Sequence, residues 1–205
     1  CLVGSEMCIR DSDIRSQFYA SSEWTSGYPA ATGIGTQHGG ILVDFNAVKG
    51  GIEIIPLDND WQKAAHVYSD EVLISHRTDA EKGTPKFERG KSLSDYQCEM
   101  IYISGTAAIR GEESIVTGDV LVQTEITLEN IQHLIGLEEG REKLPEHSGK
   151  LELLRVYLKH EEDAKIVKED MDKLCPDVPI VYLYADVCRD CLLYTSPSPR
   201  DRQKS

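Results

Sequence analysis

The spacing of hydrophobic residues changes along this chain, and the changes mark out its elements. Residues 100–107 (Met-Ile-Tyr-Ile-Ser-Gly-Thr-Ala) read as a strand. A helix is predicted to start near Gly118-Asp119, with Asp119 as its cap and Leu121, Leu128, Ile131 and Ile135 recurring at helical spacing. Residues 151–158 read as a second strand, carrying Leu153, Leu154, Val156 and Leu158. Glu161-Glu162-Asp163 then puts negative charge where a helix dipole favours it. The helix that follows is expected to bury Ala164, Val167, Met171 and Leu174, and Pro176 stops it. A third strand covers 180–187, so the order strand–helix–strand–helix–strand predicts an α/β (α+β) fold with two helices on one face of a sheet. Before this, residues 13–60 are turn-rich and strand-like. Gly39-Gly40 is read as a tight turn between two strands, the second being 41–45. No helix start or Lys-Ser/Thr follows those glycines, which argues against a phosphate loop.

Composition narrows the function classes. The chain has 205 residues, 40% of them hydrophobic, enough to bury a core. No stretch approaches the roughly 18–20 apolar residues that span a bilayer, so no membrane role is expected. A formal net charge of −13 opposes nonspecific nucleic-acid binding, yet a few arginines in a pocket can still hold an anionic substrate. Of the six cysteines, Cys1, Cys8, Cys98, Cys175, Cys188 and Cys191, only the last two are close, and no second pair accompanies them. His66, His76, His133, His147 and His160 show no ligand spacing, so no metal is expected. No basic start with an apolar run is present, and a cytoplasmic location is the expectation.

The two ends differ from the body. Residues 1–12 have no period, and residues 191–205 shift abruptly to Ser, Pro and Arg. Both resemble translated sequencing adapter and are set aside from the fold. Removing them takes away one net negative and two net positive charges and leaves −14. The Cys188/Cys191 pair dissolves with them.

Several strings resemble the reactive-intermediate deaminase (RidA/YjgF) superfamily, whose fold is also that of chorismate mutase-like proteins. They are Tyr102-Ile103-Ser104-Gly105-Thr106-Ala107, Gln123-Thr124 through Thr127-Leu128-Glu129-Asn130-Ile131, and Val156-Tyr157-Leu158. Two more narrow the resemblance to the chorismatases. Ala185-Asp186-Val187-Cys188-Arg189 looks like their last core strand, and Gly27-Tyr28-Pro29-Ala30 through Gly33-Ile34-Gly35 like the end of their N-terminal domain. The resemblance implies a mixed RidA/YjgF-like sheet, with 13–60 ending an N-terminal domain and 61–190 forming the catalytic domain. It implies cleavage of chorismate to pyruvate plus a hydroxybenzoate or a dihydroxycyclohexadiene acid, with no cofactor. It also implies either a monomer of two related halves or a RidA-like trimer.

Cleaving an enol ether without metal needs a general acid, and a carboxylic acid with a raised pKa suits it. In chorismatases that role resembles a glutamate just beyond the Cys-Arg dipeptide. Residues 191–205 contain no Glu, so this chain is expected to be inactive or severely impaired. Cys188 matches the family's active-site cysteine, either as a thiol beside the ring or as a small buried hydrophobe. Arg77 and Arg89 lie in a segment resembling the substrate-binding loop, where an arginine fork binds a carboxylate bidentately. Tyr68 donates a phenolic hydrogen bond there or packs. Lys159 stands where relatives carry arginine and supplies charge without a fork. Ser104, Gly105, Thr106 and Ala107 are expected to shape a pocket floor that lets a ring approach. Arg189 is read as structural. Two rivals remain: an imine or enamine deaminase, and a non-catalytic binding or assembly module. The deaminases use an arginine two residues after the proline opening the last long strand, whereas Ile180 and Val181 follow Pro179.

Overall fold

The computed structural model describes residues 14–20, 24, 26–35, 39, 42–73, 83–136, 150–187 and 189–203. Its elements are, in order, α1 (14–20), β1 (Glu53–Leu57), β2 (Gly90–Ser94), β3 (Cys98–Thr106), β4 (Ile109–Arg110), β5 (Glu113–Ser114), α2 (Val120–Leu134), β6 (Lys150–Leu151), β7 (Leu154–Leu158), α3 (Ala164–Leu174), β8 (Ile180–Tyr184) and β9 (Tyr194–Gln203). Seven strands form one mixed sheet in the order β1-β2-β3-β9-β7-β8, with β6 also paired to β9. Every pairing is antiparallel except β7 with β8, which α3 connects as a parallel crossover. β4 and β5 form a separate hairpin.

The two long helices form where their sequences direct. Asp119, in an extended conformation, accepts hydrogen bonds from the amides of Leu121 (2.9 Å) and Val122 (3.4 Å), so it caps α2 as its position predicts. α2 buries Leu128, Ile131 and Leu134 against Ile101 and Ile103 of β3 and Leu154, Val156 and Leu158 of β7. α3 adds Val167 and Met171 to the same cluster. Tyr194 of β9 is fully buried there, its hydroxyl 3.9 Å from the Met171 sulfur, and burial pushes its phenol above the ordinary range.

Polar side chains inside α2 tie it to the loops around it. Thr124 and Thr127 return their hydroxyls to the Val120 and Gln123 carbonyls. Asn130 donates to the carbonyls of Ala107 (2.9 Å) and Ile109 (3.0 Å), and its own carbonyl accepts Asn59 (3.0 Å). Gln123 donates to the Cys191 carbonyl (3.0 Å) and accepts the Leu193 amide (2.8 Å), holding the turn before β9. Each is buried, so losing a partner would strand a desolvated polar group.

Several elements differ from the sequence reading. A third helix, α1, begins the described region. The strand expected after Gly39-Gly40 does not form over its described residues: 42–49 have no regular structure, and Leu42, Val43 and Phe45 stay exposed. Gly40 itself lies outside the described residues. The strand read over 151–158 is two strands, β6 and β7, on different stretches of β9. Leu174 is exposed at the end of α3 rather than buried. β8 ends at Tyr184, and of the expected strand 185–189 only Asp186 makes a bridge, to Gly35. The largest difference is β9. Sequence reasoning set 191–205 aside, yet 194–203 fills the middle of the sheet, where β3 and β7 each present an edge that would otherwise lack partners. Residues 1–12 lie outside the described residues.

Asp119→Ala should lower stability by about 1 kcal/mol through loss of the cap. Ile131→Ala should cost about 2–5 kcal/mol through the cavity it leaves. Urea denaturation reads both as shifts in midpoint, and an unshifted midpoint for either would contradict the packing described.

Candidate active site

At one end of β3 the chain buries two arginines. Arg89 precedes β2, and its carbonyl accepts the Ser104 amide (3.0 Å), so sheet pairing fixes its backbone. Its side chain is 4% exposed. The guanidinium donates through Nε (3.2 Å) and Nη2 (2.5 Å) to the Lys63 carbonyl, and through Nη2 to the Tyr68 hydroxyl (2.5 Å). Arg189 is 2% exposed and lies in the turn after β8 that the Leu192 amide closes onto its carbonyl (2.9 Å). Its Nη1 donates to the Glu112 carbonyl (2.9 Å) and the Ser114 hydroxyl (2.9 Å). The Tyr68 ring sits near both, 5.6 Å from the Arg89 guanidinium and 5.5 Å from that of Arg189, within cation–π range.

A pocket opens against these groups. Arg15 of α1, Lys86, Arg89 and Arg189 contribute charge to its wall, while Thr32, Phe87, Val187 and Leu192 line the rest with Gly105, Ala107 and Thr195. Among the described residues the lining holds four cationic side chains and no carboxylate. Against a formal net charge of −13, this is a local inversion of sign.

The rim formed by residues 31–33 is fastened to β3. The Ala31 amide donates to the Ser104 hydroxyl (3.0 Å), and the Gly105 amide to the Thr32 hydroxyl (2.8 Å). A Cβ on Gly105 would lie 2.7 Å from the Thr32 methyl. The close approach of the rim therefore requires a glycine here.

Glu112, in the β4–β5 connection, accepts Lys63 Nζ (2.8 Å), the Ser69 amide (2.7 Å) and the Ser69 hydroxyl (2.6 Å). These bonds to Lys63 and Ser69 hold its carboxyl down at about 2.

No family model matches the chain. A chorismatase of Streptomyces rapamycinicus is 33% identical over 173 residues, which cover 80% of this chain and 48% of that protein. A 3-hydroxybenzoate synthase of Streptomyces hygroscopicus is 32% identical over 179 residues, covering 81% and 48%. This chain is a homologue of the chorismatases. A solved chorismatase structure superposes with a TM-score of 0.62 at 24% identity, over 84% of this chain and 50% of the other, so the two share a fold. The chain spans about half the length of the curated relatives it matches.

Of the residues that the chorismatase resemblance singled out, Arg89, Tyr68, Gly105 and Ala107 meet at the pocket. Thr106 does not line it; its hydroxyl donates to Gln62 (3.1 Å) and its carbonyl accepts Thr195 (2.7 Å). Lys159 is also elsewhere: its Nζ donates to the Asp190 carbonyl (2.9 Å), bracing the turn that carries Arg189. Arg77 and Cys188 lie outside the described residues. Arg189, read as structural, reaches the wall, and its place beside Cys188 in the motif was the signal available. Thr32 stands within the Gly27–Gly35 string of the resemblance. Lys86 lies in the segment between Arg77 and Arg89 that resembles the substrate-binding loop, and nothing in the local sequence marked Arg15 or Thr195. Among the described residues no group of His, Cys, Asp or Glu could hold a metal, and no helix is long and apolar enough to cross a membrane.

Two outcomes follow. Gly105→Ala should cost about 1–3 kcal/mol by overpacking against Thr32, and adding Thr32→Ser should recover most of it; a denaturation cycle that shows no coupling would refute the contact. Glu112 has a folded pKa below its ordinary value of 4.5, so its contribution to stability is complete above that pH and is lost as pH falls through about 2. The stability gap between wild type and Glu112→Gln should therefore stay constant at neutral pH and narrow between those limits in acid denaturation.

Proposed function

We propose that this chain binds chorismate in the Arg89/Arg189 pocket and corresponds to the ring-binding, pyruvate-releasing portion of a chorismatase. The observation that supports this reading most is a pair of buried guanidiniums facing a pocket with no carboxylate among its described lining residues. Chorismate carries two carboxylates, and guanidinium forks recognise that group with directional, charge-assisted bonds. Both arginines are already desolvated, and backbone carbonyls and hydroxyls among their partners orient them toward a ligand.

The chemistry of the proposed reaction is hydrolysis of an enol ether. A proton added to the methylene carbon yields an oxocarbenium ion, and water attacks it. The resulting hemiketal collapses to pyruvate, and the ring oxygen leaves protonated as a diol; loss of water from the ring instead accompanies formation of a hydroxybenzoate. Cys188, assigned by the Cys-Arg motif, is the proposed thiol for aromatisation. The general acid expected after that motif has no counterpart in 191–205, which contains no Glu. The chain as it stands is therefore proposed to bind substrate without turning it over.

Titration calorimetry with chorismate should show binding that weakens at higher salt. Arg89→Gln should reduce affinity by about 2 kcal/mol, roughly thirtyfold, because it removes one charged partner of the carboxylates. NMR of the same mixture should show no pyruvate. Absence of binding by a folded wild-type chain would sink this reading, and release of pyruvate would sink the claim that the missing glutamate abolishes turnover.

A further inference from the structure

The two pocket arginines belong to distant parts of the chain. Their positions are nevertheless linked through the β4–β5 hairpin. Gly111 occupies the first of its two loop positions at φ 61°, the conformation that a two-residue type II′ turn requires there. The hairpin docks on residues 61–63, with the Gly111 amide donating to the Trp61 carbonyl (2.7 Å) and the Lys63 amide to the Gly111 carbonyl (2.8 Å). This docking leaves the Glu112 side chain directed along the segment 63–69.

The Glu112 carboxylate grips that segment at both ends. Lys63 Nζ binds it from one side, and the amide and hydroxyl of Ser69 from the other. Between them lie the two acceptors that orient Arg89, the Lys63 carbonyl and the Tyr68 hydroxyl. The backbone carbonyl of the same Glu112 accepts Arg189. One residue thus fixes the Arg89 side of the pocket with its carboxylate and the Arg189 side with its main chain, with the Tyr68 ring between the two guanidiniums.

We propose that Glu112 is the positioning residue of the anion pocket, setting the spacing of the Arg89 and Arg189 guanidiniums without touching the ligand. The inference rests on the reading of this pocket as a dicarboxylate site, but its structural half does not depend on that reading. A dicarboxylate needs both forks at a defined separation, whereas a monocarboxylate needs only one. Loss of the Glu112 carboxylate releases Ser69 and the Lys63 side chain, leaving 63–69 held through its backbone bond to Gly111, so the cost falls on ligands that engage both arginines.

Glu112→Gln tests this with two readouts. The first is the Arg89 Nε–H signal in NMR, which needs no ligand. In the variant it should exchange with solvent at least tenfold faster, while the amides of β3 and α2 keep their protection. The second is the affinity for chorismate, which should fall at least tenfold, against less than twofold for benzoate. Unchanged Arg89 exchange and unchanged chorismate affinity in a folded variant would overturn the proposal. Equal losses for chorismate and benzoate would also overturn it, since they would signal general damage. If Glu112→Gln does not fold, Ser69→Ala removes one of the three bonds and should raise the Arg89 exchange rate about threefold; no change there counts against the proposal. Should wild type bind no chorismate, the functional reading fails alone, and the exchange measurement still decides the role of Glu112.

Discussion

Burying two guanidiniums in one small region is the constraint around which the functional end of this protein is organised. An arginine taken out of water must find acceptors for its N–H groups, or its desolvation is not offset. Here backbone carbonyls and hydroxyls supply them: Lys63 and Tyr68 for Arg89, Glu112 and Ser114 for Arg189. These dipoles orient the forks at a pocket whose described lining carries four cationic side chains, inside an acidic protein.

The same constraint accounts for the loops around the pocket. Segment 63–69 has little regular structure, a single 3-10 turn at Ala65–Val67, yet its carbonyl and phenol must be placed to within a hydrogen bond. Its order comes from polar contacts to neighbours far along the chain. Arg189 lies in a turn braced by Lys159 from behind β7 and followed by the stretch that Gln123 grips from α2. Buried amides such as Gln123 and Asn130 also give physical content to the α2 string that carried the family resemblance. From within a hydrophobic layer they donate to the carbonyls of Ala107, Ile109 and Cys191 in the surrounding loops.

What the sequence revealed divides along the line between local and non-local interactions. α2 and α3 were legible because a cap, a 3.6-residue period and a stopping proline all act within a few residues of where they stand. β3 and β7 were legible as alternating apolar runs. Arg89, Tyr68, Gly105 and Ala107 were reached through motif resemblance, and Gly105 also makes room for Thr32. The strand read at 41–45 did not form over 42–45, because a short apolar run does not by itself specify pairing. Lys159 was reached by its charge, which does not say which way a side chain points. β9 was missed altogether. Its Ser- and Pro-rich composition carries no strand period, and its conformation is dictated by β3 and β7, whose exposed edges lie far away in sequence.

The position of β9 also bears on how the protein is made. It is last among the described elements yet lies at the centre of the sheet, flanked by β3 and β7. Until residues 194–203 leave the ribosome, the meander β1-β2-β3 and the crossover β7-α3-β8 have no strand to join them. Both expose a raw edge and half of a shared apolar layer throughout synthesis. Pairings of this sequence separation form slowly, and partial sheets with open edges are prone to find partners in other chains. The nascent chain is therefore open to self-association in the interval before β9 emerges, a risk set by the topology rather than by any single weak contact.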